Sequence, residues 1–186
     1  MSGFRKVNET LIHAGYVISV FNVEFEAPNG ETMHRDVVRH PGAVTVVPVL
    51  DDGTVVMVRQ FRAPMEGLVL EVPAGKRDVD GEEPIVTAHR ELAEEVGYTA
   101  SSMVPLMVLN HSPGFCIELN HIFLATGLTA GQRSVDGPEE ENMTIEHIAL
   151  ADVFSLIANG VISDAKSVAG LTLAAQRLGV VPAPFA

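Results

Sequence analysis

Cysteine is nearly absent from this chain: Cys116 is the only one in 186 residues. A single thiol cannot close an internal disulfide, which points to a reducing, cytoplasmic setting. Basic residues are scarce too. Twelve Lys and Arg face twenty-four Asp and Glu, a formal net charge of −12, which repels a polyphosphate backbone and disfavours nucleic-acid binding. No apolar run approaches the ~20 residues needed to cross a bilayer, so no membrane span is expected even though 47% of the chain is hydrophobic. The start, Met1-Ser2-Gly3-Phe4-Arg5-Lys6, is basic but leads into no apolar stretch with a small-residue cleavage site, and export is not expected. Internal repeats and low-complexity linkers are missing as well. What remains is one chain long enough for a single substantial core. Its surplus of acid suits an anionic small molecule only if divalent metal ions lie between the two.

The first third reads as strands joined by hairpin turns. Val17 to Glu26 alternates, Pro28-Asn29-Gly30 signals a turn, and Met33 to Arg39 follows as the next strand. Ala43 to Leu50 and Thr54 to Arg62 are β-branched runs around Asp51-Asp52-Gly53, and Leu68 to Val72 leads into Pro73-Ala74-Gly75. The first clear helix has Pro84 in its opening turn and Gly97 just past its end. Met103 to Leu109 and Glu118 to Ala125 are strand candidates, Asp136 to Glu141 an acidic loop, and Ile145 to Ala149 a short strand. Two helices, Asp152 to Ala158 and Asp164 to Leu178, precede an irregular proline-containing tail. Strands on both sides of a central helix imply an α/β fold with a mixed sheet between helical layers. Residues 1–40 are expected to form a small N-terminal antiparallel sheet and residues 41–186 the main domain.

On the first helix, Ile85, Ala88, Leu92 and Val96 form one apolar stripe. At about 100° per residue Glu95 falls about 20° from the edge of that stripe, Glu91 about 60° and Glu94 about 120°. A solvated acidic face belongs mostly on the far side of a helix, so two of these acids are oddly close to the core. Like charges at i,i+4 cost roughly 0.2–0.5 kcal/mol per pair, and acids in the last turn oppose the macrodipole by roughly 0.3–1 kcal/mol each. A hard divalent cation would offset both costs, because carboxylate oxygens are the ligands magnesium prefers. An ordinary acidic helix with Arg90 paired to Glu94 is the competing explanation.

The order of residues around the helix bears on that choice. Gly75, Glu82, Arg90-Glu91-Leu92, Glu94-Glu95 and Gly97-Tyr98 resemble the Nudix box, G-x5-E-x7-R-E-U-x-E-E-x-G-U with U bulky and apolar. Every position from Glu82 to Gly97 fits; the departures are six residues rather than five between Gly75 and Glu82, and Tyr98 as the final U. The extra residue lies before the helix. The resemblance implies an α/β/α sandwich with the box as a loop-helix-loop. It implies Glu91, Glu94, Glu95 and the Ala74 carbonyl as ligands of Mg2+, with Mn2+ able to substitute, and structural roles for Gly75, Glu82, Arg90 and Gly97.

Pro113, sixteen residues after Gly97, with Ser112, Gly114 and Phe115, resembles the ADP-ribose pyrophosphatase branch of that family. So do Val58-Arg59-Gln60-Phe61-Arg62 and Ala165-Lys166-Ser167. That branch implies hydrolysis of a nucleoside diphosphate sugar, ADP-ribose foremost, to AMP and ribose 5-phosphate, in a homodimer whose N-terminal sheets help bind substrate. Arg35, Arg39, Arg62, Pro113 and Gly114 are the candidate substrate contacts, since guanidinium forks suit phosphate oxygens; solvated or ion-paired arginines are the alternative for each. The branch also implies a catalytic glutamate on the loop before Ile145, where Glu139, Glu140 and Glu141 stand in a row and Glu141 matches best by its offset. Phe21 and Phe25 read as core rather than as base-stacking groups, His111 as structural, and Cys116 as packing. Two other functions stay open: hydrolysis of GDP-mannose or another nucleoside diphosphate derivative, and a nucleotide-sugar sensor without catalysis. The full set of box carboxylates argues against the sensor.

Overall fold

The computed structural model describes residues 3–134 and 137–180, with Glu139 described by its backbone alone. The described chain divides into two compact units. One comprises the residues up to Gly42 together with Asn110–Leu119; the other comprises Ala43–Leu109 and the chain from Asn120 onward.

The first unit is a three-stranded antiparallel sheet, β1 (Arg5–Ala14), β2 (Ser19–Glu26) and β3 (Thr32–Arg39), in that spatial order. The sequence pattern marks β2 and β3 but not β1. The reason is burial: nine of the ten β1 residues are exposed, so no buried face imposes an alternation of apolar and polar residues. The pairing of β1 with β2 also shifts register twice, between Lys6 and Asn8 and between Leu11 and His13. The segment 110–119 joins this unit through Val38, whose N–H donates to the Phe115 carbonyl (2.7 Å) and whose carbonyl accepts from the Ile117 N–H (3.0 Å).

The second unit holds two sheets. One is antiparallel, in the order β10 (Thr144–Ala149), β5 (Thr54–Arg62), β6 (Gly67–Glu71). The other runs β7 (Ala74–Lys76), β4 (Ala43–Pro48), β9 (Leu119–Ala130), β8 (Tyr98–Asn110), and is mixed, because β4 pairs antiparallel with β7 and parallel with β9. All six residues of β4 are buried, as expected of a strand covered on both faces. Successive side chains on these strands go to opposite sides. Val47, Val49, Val55, Met57, Ile122 and Leu124 pack with Leu171, Ala174 and Ala175 of α4 (Ala165–Arg177). Val44, Val46, Val56, Val58, Phe123 and Ala125 pack with Ala88, Leu92 and Val96 of α1 (Pro84–Val96). A helix thus covers each side, and the unit is an α/β/α sandwich.

Two shorter helices complete it, α2 (Pro138–Glu141) and α3 (Val153–Ala158). The acidic stretch expected to be loop therefore contains one helical turn; Asp136 lies outside the described residues, as does most of the proline-containing tail. The three-residue β7 carries no pattern of its own and exists through its pairing with Ala43 to Thr45. Among the described residues no helix is long and apolar enough to cross a membrane.

Candidate active site

The site begins where β6 ends. Glu71, Val72 and Pro73 lead into β7, a seven-residue loop follows, and the chain enters α1 at Pro84. Proline suits this first turn, since its missing N–H would have no helical partner there. The helix ends at Gly97, which has φ 72° and whose N–H donates to the carbonyl of Ala93 (3.0 Å). A side chain at Gly97 would also stand 3.1 Å from the Arg133 nitrogen and 3.3 Å from the Gly131 carbonyl. Glycine is required on both counts.

The carboxylates of α1 follow the helical angles. Glu91 and Glu95 are 7% and 4% exposed, whereas the Glu94 side chain, farthest from the apolar stripe, is 40% exposed. Burial is the main force on the two inner acids. It pushes the Glu95 carboxyl up to about 8, with Glu91 and Glu140 adding repulsion and the Ala74 N–H opposing it. It pushes Glu91 up to about 7, against the pull of Arg90 and with further repulsion from Glu94 and Glu140.

The loop before the helix is held against these acids. Ala74 donates its N–H to Glu95 Oε2 (2.9 Å). Gly75 lies directly over Glu91, where an added Cβ would fall 1.9 Å from the carboxyl carbon. Farther along, Thr87 Oγ1 donates to Glu82 Oε2 (2.6 Å), Arg90 Nη2 reaches the same oxygen (3.4 Å), and Arg77 donates to the Glu82 carbonyl (3.0 Å). Glu82 and Arg90 thereby tie the loop to the helix across the extra residue.

Arg90 Nη1 donates to Glu91 Oε1 (2.8 Å) and Glu94 Oε2 (3.0 Å). Burial works against its charge, but these carboxylates and Glu82 more than compensate and hold its pKa above the ordinary arginine value. Both features of the competing explanation are thus present, the acidic helix and the Arg90–Glu94 pair. Among the described residues no three His, Cys, Asp or Glu groups converge closely enough to hold one ion, and Arg90 is drawn in between two of the box acids. The donor chemistry nevertheless fits a hard divalent cation. Glu91 and Glu95 are buried carboxyl groups whose ionised forms burial disfavours, and added positive charge beside them would favour the carboxylate form of both.

The other sequence candidates divide between the two units. In the first unit, Arg39 Nη2 donates to Glu9 (2.6 Å) and its guanidinium stacks 4.1 Å above the Phe21 ring. Arg35 is exposed and donates to the His34 carbonyl. Pro113 and Gly114 sit exposed in a turn where the Ser112 carbonyl accepts from the N–H groups of Phe115 and Cys116. In the second unit, Arg62 makes a two-pronged pair with the buried Glu71, Nε to Oε1 at 2.8 Å and Nη2 to Oε2 at 2.6 Å. Of the three loop glutamates, Glu140 is near enough to raise both Glu91 and Glu95. Glu141 is exposed, and the Glu139 side chain lies outside the described residues. Sequence reasoning missed Arg133, which donates to the carbonyls of Glu140 and Met143 and holds that turn beside the site. It also gave no role to Glu71 or to Lys166, whose signal is a charge placed in an otherwise apolar surrounding.

Comparison with known proteins bears on the family and the fold. Residues 39–171 match the NUDIX domain. The chain is 41% identical to an ADP-ribose pyrophosphatase of Bacillus subtilis over 88% of each protein, and 39% identical to a methanol dehydrogenase activator of Bacillus methanolicus over the same shares. A crystal structure titled ADP compounds hydrolase superposes with a TM-score of 0.82 at 25% identity, covering 96% of this chain and 97% of that one. Nudix hydrolases generally use divalent metal ions. The box, at its required spacing from Glu82 to Gly97, the sandwich that carries it and these matches make the chain a member of the Nudix family.

Proposed function

We propose that this protein is a Mg2+-dependent pyrophosphohydrolase of nucleoside diphosphate sugars, with ADP-ribose cut to AMP and ribose 5-phosphate. The reading rests on one observation above the rest: Glu91 and Glu95 are buried side by side against the Ala74–Gly75 loop, with their ionised forms disfavoured. A pair of acids strained in this way costs the fold stability, and it is accounted for if the protein works with a divalent cation. Mg2+ or Mn2+ held there would screen the pyrophosphate oxygens and acidify a bound water.

The protein's own groups then divide the work. Glu91, Glu94 and Glu95 hold the ion, together with the Ala74 carbonyl. Gly75 leaves room for Glu91. Arg62, paired with Glu71 and within electrostatic reach of Glu95, adds positive charge that favours the anionic substrate. The proton of the attacking water passes to a carboxylate oxygen of Glu140, the loop acid whose charge reaches Glu91 and Glu95. Arg35, Arg39, Pro113 and Gly114 serve as substrate contacts on the strength of the family resemblance alone, and residues 1–40 serve chiefly in dimer formation. The exposed edge strand β1 supports a homodimer: Phe4, Val7, Leu11 and Ile12 leave apolar surface and unpaired backbone beside it. The lone Cys116 suits a cytoplasmic protein.

The test is a panel of ADP-ribose, GDP-mannose, other nucleoside diphosphate sugars, NADH and nucleoside triphosphates, assayed for product with Mg2+ and with chelator. ADP-ribose should give AMP at the highest kcat/KM. Preference for GDP-mannose would move the substrate assignment, and binding without cleavage across the panel would replace the enzyme with a sensor.

A further inference from the structure

The first turn of α4 lies 95 residues in sequence from the strand end that feeds the proposed metal-binding loop, yet it is bonded to it. Asp164 caps the helix, and its Oδ1 accepts from the N–H groups of Lys166 (3.1 Å) and Ser167 (3.4 Å) and from Lys166 Nζ (2.9 Å). Lys166 is 8% exposed and Ser167 fully buried. Lysine is seldom buried unless paired, and this one donates to Glu71 Oε2. That carboxylate is 2% exposed. Burial alone would raise its pKa, but Arg62 and Lys166 hold it below the ordinary carboxylate value. One residue on, the Val72 N–H donates to Ser167 Oγ at 2.9 Å. The Pro73 carbonyl then accepts from Val46 (2.9 Å), and the Ala74 N–H reaches Glu95.

Four consecutive residues are therefore tied in series, and the last two ties end on β4 and on the proposed metal ligands. Without the Ser167 hydroxyl, the N–H of Val72 would be left buried without a partner, and the strand end would shift to find one. A shift there moves Ala74 relative to Glu95 and Gly75 relative to Glu91. Lys166 acts on the same strand end through Glu71, which in turn fixes the Arg62 fork.

We infer that Ser167 and Lys166 are positioning residues of the metal site: from the first turn of α4 they clamp Glu71 and Val72, and so set where Ala74 and Gly75 meet Glu95 and Glu91. The claim rests on the assignment of Glu91, Glu94 and Glu95 as metal ligands, and the experiment separates the two. Mn2+ binding to the metal-free protein is measured by electron paramagnetic resonance, alongside amide hydrogen exchange of residues 72–76, kcat and KM for ADP-ribose, and thermal unfolding. The variants are S167A, S167T, which keeps the hydroxyl, K166M, and L171A as a control that loosens the α4 core away from the clamp.

For S167A we expect tenfold weaker Mn2+ binding, exchange of residues 72–76 at least tenfold faster, and kcat lowered tenfold with KM within threefold of wild type. S167T should restore most of each, and K166M, if it folds, should resemble S167A. Wild-type Mn2+ binding and exchange in S167A would overturn the proposal, and so would an L171A control that weakens Mn2+ binding as much as S167A does. If wild type and E95Q bind Mn2+ equally, the ligand assignment itself fails. S167A carries the test should K166M not fold.

Discussion

Replacing Gly75 with alanine adds one carbon at a place where the structure leaves no room for it. The new Cβ would stand 1.9 Å from the Glu91 carboxyl carbon and 2.1 and 2.2 Å from its two oxygens. Non-bonded carbons settle at roughly 3.5–4.0 Å, so the carboxylate must retreat by more than about 1.5 Å. It can do so, because the obstacle is the end of a flexible side chain and the Gly75 backbone is not in the left-handed region. Overpacking costs roughly 1–3 kcal/mol, and the reduced freedom of the unfolded chain returns roughly 0.4–1 kcal/mol. The net loss is about 2 kcal/mol or less, which for a chain of this size lowers Tm by at most roughly 4–8 °C. Function should fare much worse. A catalytic group misplaced by about 1 Å can cost on the order of a hundredfold in rate, and here a proposed metal ligand moves farther than that. The assay is kcat against Mg2+ concentration for wild type and Gly75→Ala, with calorimetric unfolding beside it. We expect a folded protein with at least a hundredfold lower kcat/KM and a raised Mg2+ requirement. Wild-type turnover at wild-type Mg2+ would refute the placement of Glu91 in the metal site.

The raised carboxyls of Glu91 and Glu95 also predict how the metal-free protein responds to pH. Their folded values, about 7 and about 8, lie above the ordinary 4.5, so the folded state binds protons more tightly than the unfolded one. The metal-free protein should gain stability as pH falls from about 8 towards about 5, and Mg2+ binding near pH 7 should release protons; a Tm that falls steadily over this window would contradict both values. Among the loop acids, Glu140→Gln should lose on the order of a hundredfold in turnover with metal affinity little changed, and Glu141→Gln should stay near wild type. The reverse result would move the base one residue along. Sedimentation should give about twice the 19.9 kDa chain mass, and a chain lacking residues 1–38 should fail to bind substrate; a fully active monomer would remove the dimer.

Much of the site was legible in the sequence because a helix converts spacing into direction. The angles of Glu95, Glu91 and Glu94 from the apolar stripe rank as their exposures do, from 4% to 7% to a side chain 40% open. Glu82 and Arg90 were legible through the box alone, and their contact with each other and with Thr87 depends on the loop's path. What stayed hidden belongs to pairings between distant segments. Lys166 meets Glu71 across 95 residues, and nothing local in either segment announces the other. Strand β1 escaped for the opposite reason, since an exposed strand has no face to pattern. Among Glu139, Glu140 and Glu141 the offset from the following strand favours Glu141, whereas the folded turn, pinned by Arg133, has Glu140 as the acid whose charge reaches Glu91 and Glu95.

The central claim, that the buried box carboxylates hold the metal that drives pyrophosphate cleavage, is tested most directly by Glu95→Gln. The amide keeps the shape of the side chain and an oxygen for the Ala74 N–H, while the negative charge is lost and the second oxygen becomes an NH2 donor. ADP-ribose would be incubated with each protein and Mg2+, with chelator in parallel, and the phosphorus products followed by nuclear magnetic resonance. The account predicts AMP and ribose 5-phosphate from wild type with Mg2+, none with chelator, and a rate lower by orders of magnitude for a fully folded Glu95→Gln. Hydrolysis by Glu95→Gln at the wild-type rate, or by wild type in the presence of chelator, would contradict it.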